Sequence, residues 1–251
     1  MTVEIMLTVV ATSIVQSVFG AGVLLFGTPL LLLFGYAFVD VLIILLPISI
    51  AINLLQILKH HAHINIAFYR NILILTLPLI ALFLFLVTHA RINISLLIGI
   101  FLLFIAFKEF SVSVAQIINR MMAFEKTYFL IMGIVHGVSN LGGSLLTALV
   151  HHKNYEKDIA RVTVAASYGT FAVVQLLTLG FFSSRQIDVS VTDTGIYMVV
   201  GVLIFMLSDE ILYNQIDREK YQRIFAVFFG AIRGSAGVKV LKLRLFRWFY
   251  S

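Results

Sequence analysis

Two sets of small and polar residues recur about 120 residues apart, each within an apolar stretch. The first set is Ser13, Gln16, Ser17 and Gly20, and the second is Gly133, His136, Gly137 and Asn140. Because the offsets are i, i+3, i+4 and i+7, each set lies on one side of its helix. Amides and an imidazole in such positions can hydrogen-bond a small ion, or they can hold neighbouring helices together. Both interpretations start from the same pattern.

Glycines follow each set, at the point where such a helix would break. Gly22 follows the first set, and Gly142 and Gly143 follow the second. A broken helix exposes backbone N–H groups, and the N-terminus of the next helix attracts an anion without a full positive charge. Tight helix packing explains a single glycine better than a binding site does. The pairing of both sets with glycines favours a site for a small anion.

The second apolar element of each half adds neutral polar groups. Ser49, Asn53 and Gln56 lie on one face in the first half, and the second half has Ser167, Tyr168, Thr170 and Gln175. These amides can complete the coordination of an ion, or they can join helices. The candidate binding residues are therefore Gln16, Gly20, Gly22, Asn53, Gln56, His136, Asn140, Gly142, Gly143 and Gln175. His136 is either a packing residue or a group that senses or carries a coupling proton.

Several kinds of chemistry lack the residues that they require. The acidic residues lie at segment ends or in loops, whereas cation pathways usually place Asp or Glu within the membrane span. The sequence shows no nucleophile–base pair of the kind that would predict an enzyme, and the chain has no Cys. The histidines near positions 60–63 and 151–152 lack the spacing of a zinc site and are interpreted as interfacial residues. We therefore expect no catalytic residues, no metal and no cofactor.

The elements that hold these residues must be membrane helices. The chain has 251 residues, of which 61% are hydrophobic and 12% are charged, against about 45–50% and 25% in typical globular domains. Such a composition predicts an all-α polytopic integral membrane protein that lies in a lipid bilayer. The net charge of +6 is attributed to cytoplasmic loops rather than to nucleic-acid binding.

Eight hydrophobic segments are expected. They lie near 5–34, 37–58, 70–89, 93–107, 128–150, 160–183, 191–208 and 223–241. The recurring polar sets divide them into two repeats of four segments, at 1–120 and 121–240, followed by a basic aromatic tail at 241–251. Interrupted helices at corresponding positions of two repeats indicate the site of a secondary transporter.

The loop charges favour a topology in which the first and fifth segments enter and leave by the same face. Two positive residues, Arg91 and Arg185, then lie on one side. The other side carries Lys59, Arg70, Lys108, Arg120, Lys126, Lys153, Lys157, Arg161, Arg218, Lys220 and Arg223. This asymmetry agrees with the positive-inside rule, whereas eight simple crossings would divide the charges almost evenly. The two repeats would then be inverted.

The assembled motifs resemble the TauE/SafE family of sulfite and organosulfonate exporters. The pieces are Gln16-Ser-Val-Phe-Gly-Ala-Gly22, Phe26-Gly-Thr-Pro29, Leu46-Pro-Ile-Ser-Ile-Ala-Ile-Asn53 and Gly133-Ile-Val-His-Gly-Val-Ser-Asn-Leu-Gly-Gly143. The resemblance implies a multi-pass carrier of the bacterial inner membrane that exports small, sulfur-containing anions. A passive anion channel and a membrane scaffold or accessory subunit are the alternatives. The chain departs from the family at Val23–Phe26, which separates the glycines from Pro29, and in lacking a proline in the second repeat.

Overall fold

The computed structural model describes residues 2–89, 120–182 and 189–213, together with residues 99, 216 and 220. Within these residues the chain forms eight main helices and no strand. The helices are α1 (Val3–Phe19), α2 (Val23–Leu33), α3 (Phe38–His60), α4 (Ile66–His89), α5 (Glu125–Ser139), α6 (Gly142–His152), α7 (Lys157–Phe182) and α8 (Val191–Ser208). The expected segments at 93–107 and 223–241 lie outside the described residues.

Helices α1 and α2 form a hairpin. Helix α1 ends because Gly20 has a φ of 75°, a left-handed conformation that glycine adopts without strain. Helix α2 begins just after Gly22. At the open end of the hairpin, the hydroxyl of Tyr36 donates a hydrogen bond to Oγ1 of Thr2 at 3.0 Å. The expected segment 5–34 is therefore two helices whose outer ends lie together.

Helices α5 and α6 form a second hairpin of the same kind. Helix α5 ends at Asn140, whose φ is 61°, and asparagine is among the residues that most readily adopt this conformation. Helix α6 begins at Gly142. An ion pair of 2.6 Å between Lys153 and Glu125 joins the open end of the hairpin. The expected segment 128–150 is therefore also two helices.

Four longer helices surround the hairpins. They are α3 and α4, α7, and α8 with its π-helical continuation Asp209–Tyr213, and each is long and apolar enough to cross a membrane. Helices α3 and α7 are largely buried, whereas α4 and α8 are largely exposed. In α4 a π-helical turn at Ile72–Thr76 ends two residues before Pro78, a residue that lacks the N–H for the regular helical pattern. These four helices make the chain a multi-pass membrane protein.

One end of the molecule is marked by the ends of α3 and α8. Lys59, near the end of α3, pairs with Asp209 at 2.9 Å, so these two ends lie together. The second hairpin opens at the same end, because Tyr155, just after α6, packs on Phe68 near the start of α4 with 6.3 Å between the ring centroids. Helix α4 starts here because it follows α3 after a short connection.

The first hairpin opens at the opposite end of the molecule. The backbone N–H of Thr2 donates to the hydroxyl of Tyr197 at 2.8 Å. Tyr197 lies in the first half of α8, away from the Asp209 end. The two hairpins therefore point toward each other from opposite ends, and the turn of each lies inside the molecule.

Candidate functional site

Gln16 organises the turn of the first hairpin. Its Nε2 donates to Oδ1 of Asn53 at 2.9 Å, and its Oε1 accepts from the backbone N–H of Val23 at 2.9 Å. Nε2 of Gln56 donates to the backbone carbonyl of Gln16 at 3.2 Å, and Nδ2 of Asn53 donates to Oγ of Ser49 at 3.0 Å. Gln16 therefore caps the start of α2 and ties the turn to α3.

His136 occupies the corresponding place in the second hairpin. Its Nε2 lies 3.3 Å from Oε1 of Gln175 on α7, and its carbonyl accepts from the N–H of Asn140 at 2.8 Å. Three buried atoms here have no hydrogen-bond partner among the described residues: Nδ1 of His136, Oδ1 of Asn140 and Nε2 of Gln175. Because an unmade buried hydrogen bond costs about 1–3 kcal/mol, this half of the site is suited to receive a ligand.

The start of α6 lies beside a further unpartnered group. The hydroxyl of Tyr168 is buried, has no partner within the described part of the chain, and lies where a Cβ on Gly143 would be. Glycine at this position therefore lets the hydroxyl reach the helix N-terminus, which carries a partial positive charge. The Tyr168 ring also packs edge-on against His136, with 6.1 Å between the centroids.

Gly22 and Gly142 make equivalent contacts in the two hairpins. A Cβ on Gly22 would overlap the carbonyl of Thr12 and lie 2.5 Å from the backbone nitrogen of Gln16. A Cβ on Gly142 would lie 2.6 Å from the carbonyl of Met132 and 2.5 Å from the Cβ of His136. Each glycine therefore lets the second helix of its hairpin pack directly on the backbone of the first.

The two halves of the site touch each other at two places. Nδ2 of Asn140 donates to Oγ1 of Thr28 on α2 at 2.7 Å. On the long helices, a Cβ on Gly169 of α7 would lie 3.2 Å from the Cβ of Asn53 on α3. All ten candidate residues are buried.

Two glycines of the recurring pattern have a packing role instead. Gly133 and Gly137 face α4, where an added Cβ would lie 2.7 Å from the carbonyl of Thr76 and 2.8 Å from that of Ile80. The helix-packing alternative therefore describes these two positions. His136 and Asn140 from the same set make the polar contacts of the site.

The sequence does not predict Thr28 as a site residue, and it names Tyr168 only as one member of a wider polar group in the sixth segment. Thr28 carries the contact between the hairpins, but a threonine in an apolar helix gives no signal of its own. Tyr168 belongs to a polar group on α7 that also includes Ser167 and Thr170. Its position against Gly143 depends on the fold and has no signature in the spacing.

The structure corrects the expected position of Arg161. This residue was counted as a loop charge, yet it lies in the second turn of α7 and is only 2% exposed. Nη2 of Arg161 pairs with Oδ1 of Asp209, and the guanidinium lies over the ring of Tyr213 with 3.7 Å from Cζ to the ring centroid. A full positive charge is thus buried at the start of α7, where the sequence predicted a charge in a loop.

The site offers hydrogen-bond donors, a helix N-terminus and an imidazole, and it suits reversible binding of an ion. In the part of the chain that the structure describes, no three His, Asp or Glu residues lie close enough to hold a metal ion. An anion that leaves water needs compensation from such groups, because a bare charge in a low-dielectric interior is very costly.

One comparison with known proteins identifies the family. The family model of the sulfite exporter TauE/SafE matches residues 5–235, nearly the whole chain. No curated protein and no solved structure shows a significant match. The matched range includes both hairpins and the four longer helices. The chain therefore belongs to the sulfite exporter TauE/SafE family, whose members are membrane transporters rather than enzymes.

Proposed function

We infer that the chain is a secondary transporter that exports small, sulfur-containing anions such as sulfite or organosulfonates. The observation that carries this inference is the group of unpartnered buried atoms around the start of α6, on His136, Gln175 and Tyr168. A site with free hydrogen-bond donors at a helix N-terminus fits an anion better than an apolar or cationic substrate. The family match supports the same substrate class.

The proposed topology places the two hairpins as re-entrant elements from opposite membrane faces. Helices α1 and α5 have 17 and 15 residues, and α2 and α6 have 11 each. At about 1.5 Å per residue these helices are shorter than the roughly 30 Å hydrocarbon core. The joined open ends of each hairpin favour entry and exit by the same face.

This topology divides the chain into two inverted repeats, 1–120 and 121–240, with a C-terminal tail at 241–251. Equivalent contacts at Gly22 and Gly142 support the division. The asymmetry of Lys and Arg supports a cytoplasmic location for the Lys59 end, and the family match supports a carrier of a bacterial inner membrane. Cysteine labelling tests the topology, because the native chain has no Cys. We expect cysteines at 126 and 157 to be labelled from the same side, and opposite accessibility would exclude the re-entrant arrangement.

In the proposed mechanism the anion binds between the turns of the hairpins. The Tyr168 hydroxyl and Nε2 of Gln175 donate hydrogen bonds, while the N-terminus of α6 contributes its dipole. The imidazole of His136 offers a place for a coupling proton, because histidine changes charge near neutral pH. Neutral donors allow the anion to leave again, whereas a directly bound lysine or arginine would hold it more strongly.

Flux in proteoliposomes tests the proposal. We expect the purified chain to move sulfite, taurine or sulfoacetate, and to accumulate the anion against its gradient when a proton gradient is applied. Flux that only follows the anion's own gradient would identify a passive channel. Absence of flux for every anion, including thiosulfate and sulfate, would favour a scaffold or accessory subunit. The Gly142→Leu variant is the inactive control, because its side chain would overlap the backbone of α5.

A further inference from the structure

A cluster of charged groups lies at the end of the molecule where α3 and α8 end and α7 begins. Arg161 is buried at its centre and pairs with Oδ1 of Asp209. Lys59 holds the other carboxylate oxygen of Asp209 at 2.9 Å. Tyr213 lies under the guanidinium and donates its hydroxyl hydrogen to Asp158.

The guanidinium of Arg161 is only partly satisfied. Its Nε and Nη1 are buried and have no hydrogen-bond partner among the described residues. A buried charge with unmade hydrogen bonds is costly, since neither water nor protein compensates it fully. The Tyr213 ring covers one face of the guanidinium and leaves its N–H groups directed sideways. This planar fork matches the oxygens of a small oxyanion.

Asp209 keeps a second ion-pair partner when another anion binds the guanidinium of Arg161. Its Oδ2 already accepts from Lys59, which is half-exposed. Lys157 is held separately, since it donates to the backbone carbonyls of Tyr213 at 3.2 Å and Ile216 at 2.8 Å. Glu210 lies 3.9 Å from Lys59, and its side chain is 76% exposed, so water screens its charge. Release of Arg161 would therefore leave Asp209 paired.

Arg161 also touches the turn of the first hairpin. A Cβ on Gly20 would overlap the backbone carbonyl of Arg161 and lie 3.3 Å from its Cγ. Gly20 donates its N–H to the carbonyl of Gln16 at 2.9 Å, so the same turn reaches the hairpin site. The backbone and Cγ of Arg161 thus contact the turn of the first hairpin, while its guanidinium lies in the charged cluster with Asp209 and Tyr213.

We propose that Arg161 is a second anion-binding group at the Lys59 end, and that the Asp209 carboxylate occupies it as a tethered competitor until a small oxyanion replaces it. The oxyanion takes the N–H groups of the guanidinium while Asp209 stays with Lys59. The oxyanion at this site can be the transported anion or a regulatory sulfate or sulfite, because both present oxygens that accept hydrogen bonds from the guanidinium. The inference rests on the proposed anion transport, but it concerns a different group of residues.

Anion binding to variants of the full chain in nanodiscs tests this proposal, with radiolabelled sulfate and, without oxygen, radiolabelled sulfite as probes. Asp209→Asn removes the competitor and should lower the Kd by about tenfold, because charge-assisted hydrogen bonds are the strong ones. The double variant with Arg161→Gln and Asp209→Asn should lose this gain, and it removes both buried charges together, so it should fold. Glu125→Gln breaks the ion pair with Lys153 at the same end and should leave the Kd unchanged.

The pattern of the Kd values decides between an anion site and a structural ion pair. No tightening in Asp209→Asn, or equal tightening in the double variant, would overturn the proposal. If Asp209→Asn folds poorly, sulfate should raise its Tm more than that of the wild type, and the absence of this difference would contradict the proposal. Sulfite binding in the wild type without flux of any tested anion would refute the proposed transport while leaving the Arg161 site intact. A preference for sulfate in binding but not in flux would identify a regulatory anion.

Discussion

The two hairpins share a backbone plan but differ in how their polar groups are satisfied. In the first, Gln16 bonds Asn53 and the N–H of Val23, so the start of α2 is closed by the chain itself. In the second, the His136 side chain makes one hydrogen bond among the described residues, and the start of α6 faces the unpartnered hydroxyl of Tyr168. The first turn therefore caps its own helix start, although Oγ of Ser13 and Oε1 of Gln56 are buried there without a partner among the described residues, whereas the second turn leaves unpartnered groups directly at the start of α6.

This difference assigns separate roles to two related structures. A capped helix with an internal hydrogen-bond network is rigid, because its donors are already used. A helix N-terminus with unpartnered donors beside it is stabilised when an anion binds there. We therefore expect substitutions of the polar side chains in the second hairpin to act on anion affinity, and substitutions of the equivalent side chains in the first to act on stability, whereas filling either close backbone contact should stop transport.

The largest expected effect comes from filling the close contact within either hairpin. Gly22→Leu and Gly142→Leu should each abolish transport while the protein still inserts, because the side chain would overlap the preceding helix. Gly180→Leu is the matched control, since a Cβ there meets nothing within 4 Å. Proteoliposome flux and the yield of monodisperse protein measure the two effects. Normal flux in both glycine variants would show that the hairpin turns do not line the transport pathway.

Asn140→Leu should weaken anion binding by about a hundredfold at every pH, because it strains a left-handed residue by about 1–2 kcal/mol and removes a buried hydrogen bond. The bond that is lost joins Asn140 to Thr28. Asn140→Gly keeps the left-handed backbone conformation and makes the second turn resemble the first, which has Gly20. The variant therefore isolates the contribution of the Asn140 side chain to anion binding. Equal affinity in the glycine variant and the wild type would limit the role of Asn140 to its backbone conformation.

Tyr168→Phe removes only the unpartnered hydroxyl beside Gly143. The Kd should rise by about tenfold or more, because a hydrogen bond to a charged group contributes about 1.5–3 kcal/mol. Tyr128→Phe is the matched control, since this buried hydroxyl already donates to the carbonyl of Leu145 at 2.9 Å. An unchanged Kd in Tyr168→Phe, measured by titration calorimetry, would mean that the anion does not reach the start of α6.

The smallest expected effect concerns His136. His136→Gln should keep binding but flatten its dependence on pH between about pH 5 and 8, where an imidazole changes charge. A glutamine at this position also makes the second hairpin more like the first, which has Gln16. Loss of binding at all pH values would identify a charged imidazolium as the anchor and contradict recognition by dipoles and neutral donors.

Much of the fold could be read from the chain because membrane helices have a strong local signal. The apolar segments at 37–58, 160–183 and 191–208 correspond to α3, α7 and α8 within a few residues. Helix α1 ends at Phe19 and α5 at Ser139, each three residues before a glycine, Gly22 or Gly142, at which the sequence predicts a break. In each case the information lies in neighbouring residues, whose hydrophobicity or backbone preference acts locally.

The chain alone determined the membrane character, the helical segments and most residues that face the interior, because composition and helical period depend on residues close in sequence. Only the tertiary structure decided which polar atoms find partners. The contact of Tyr168 with Gly143 and the pair of Arg161 with Asp209 join positions 25 and 48 residues apart. Such contacts depend on how helices cross and how deeply an end is buried. In the sequence, a charged residue near a helix end therefore looks the same as one in a loop, and only the tertiary packing shows whether it is buried.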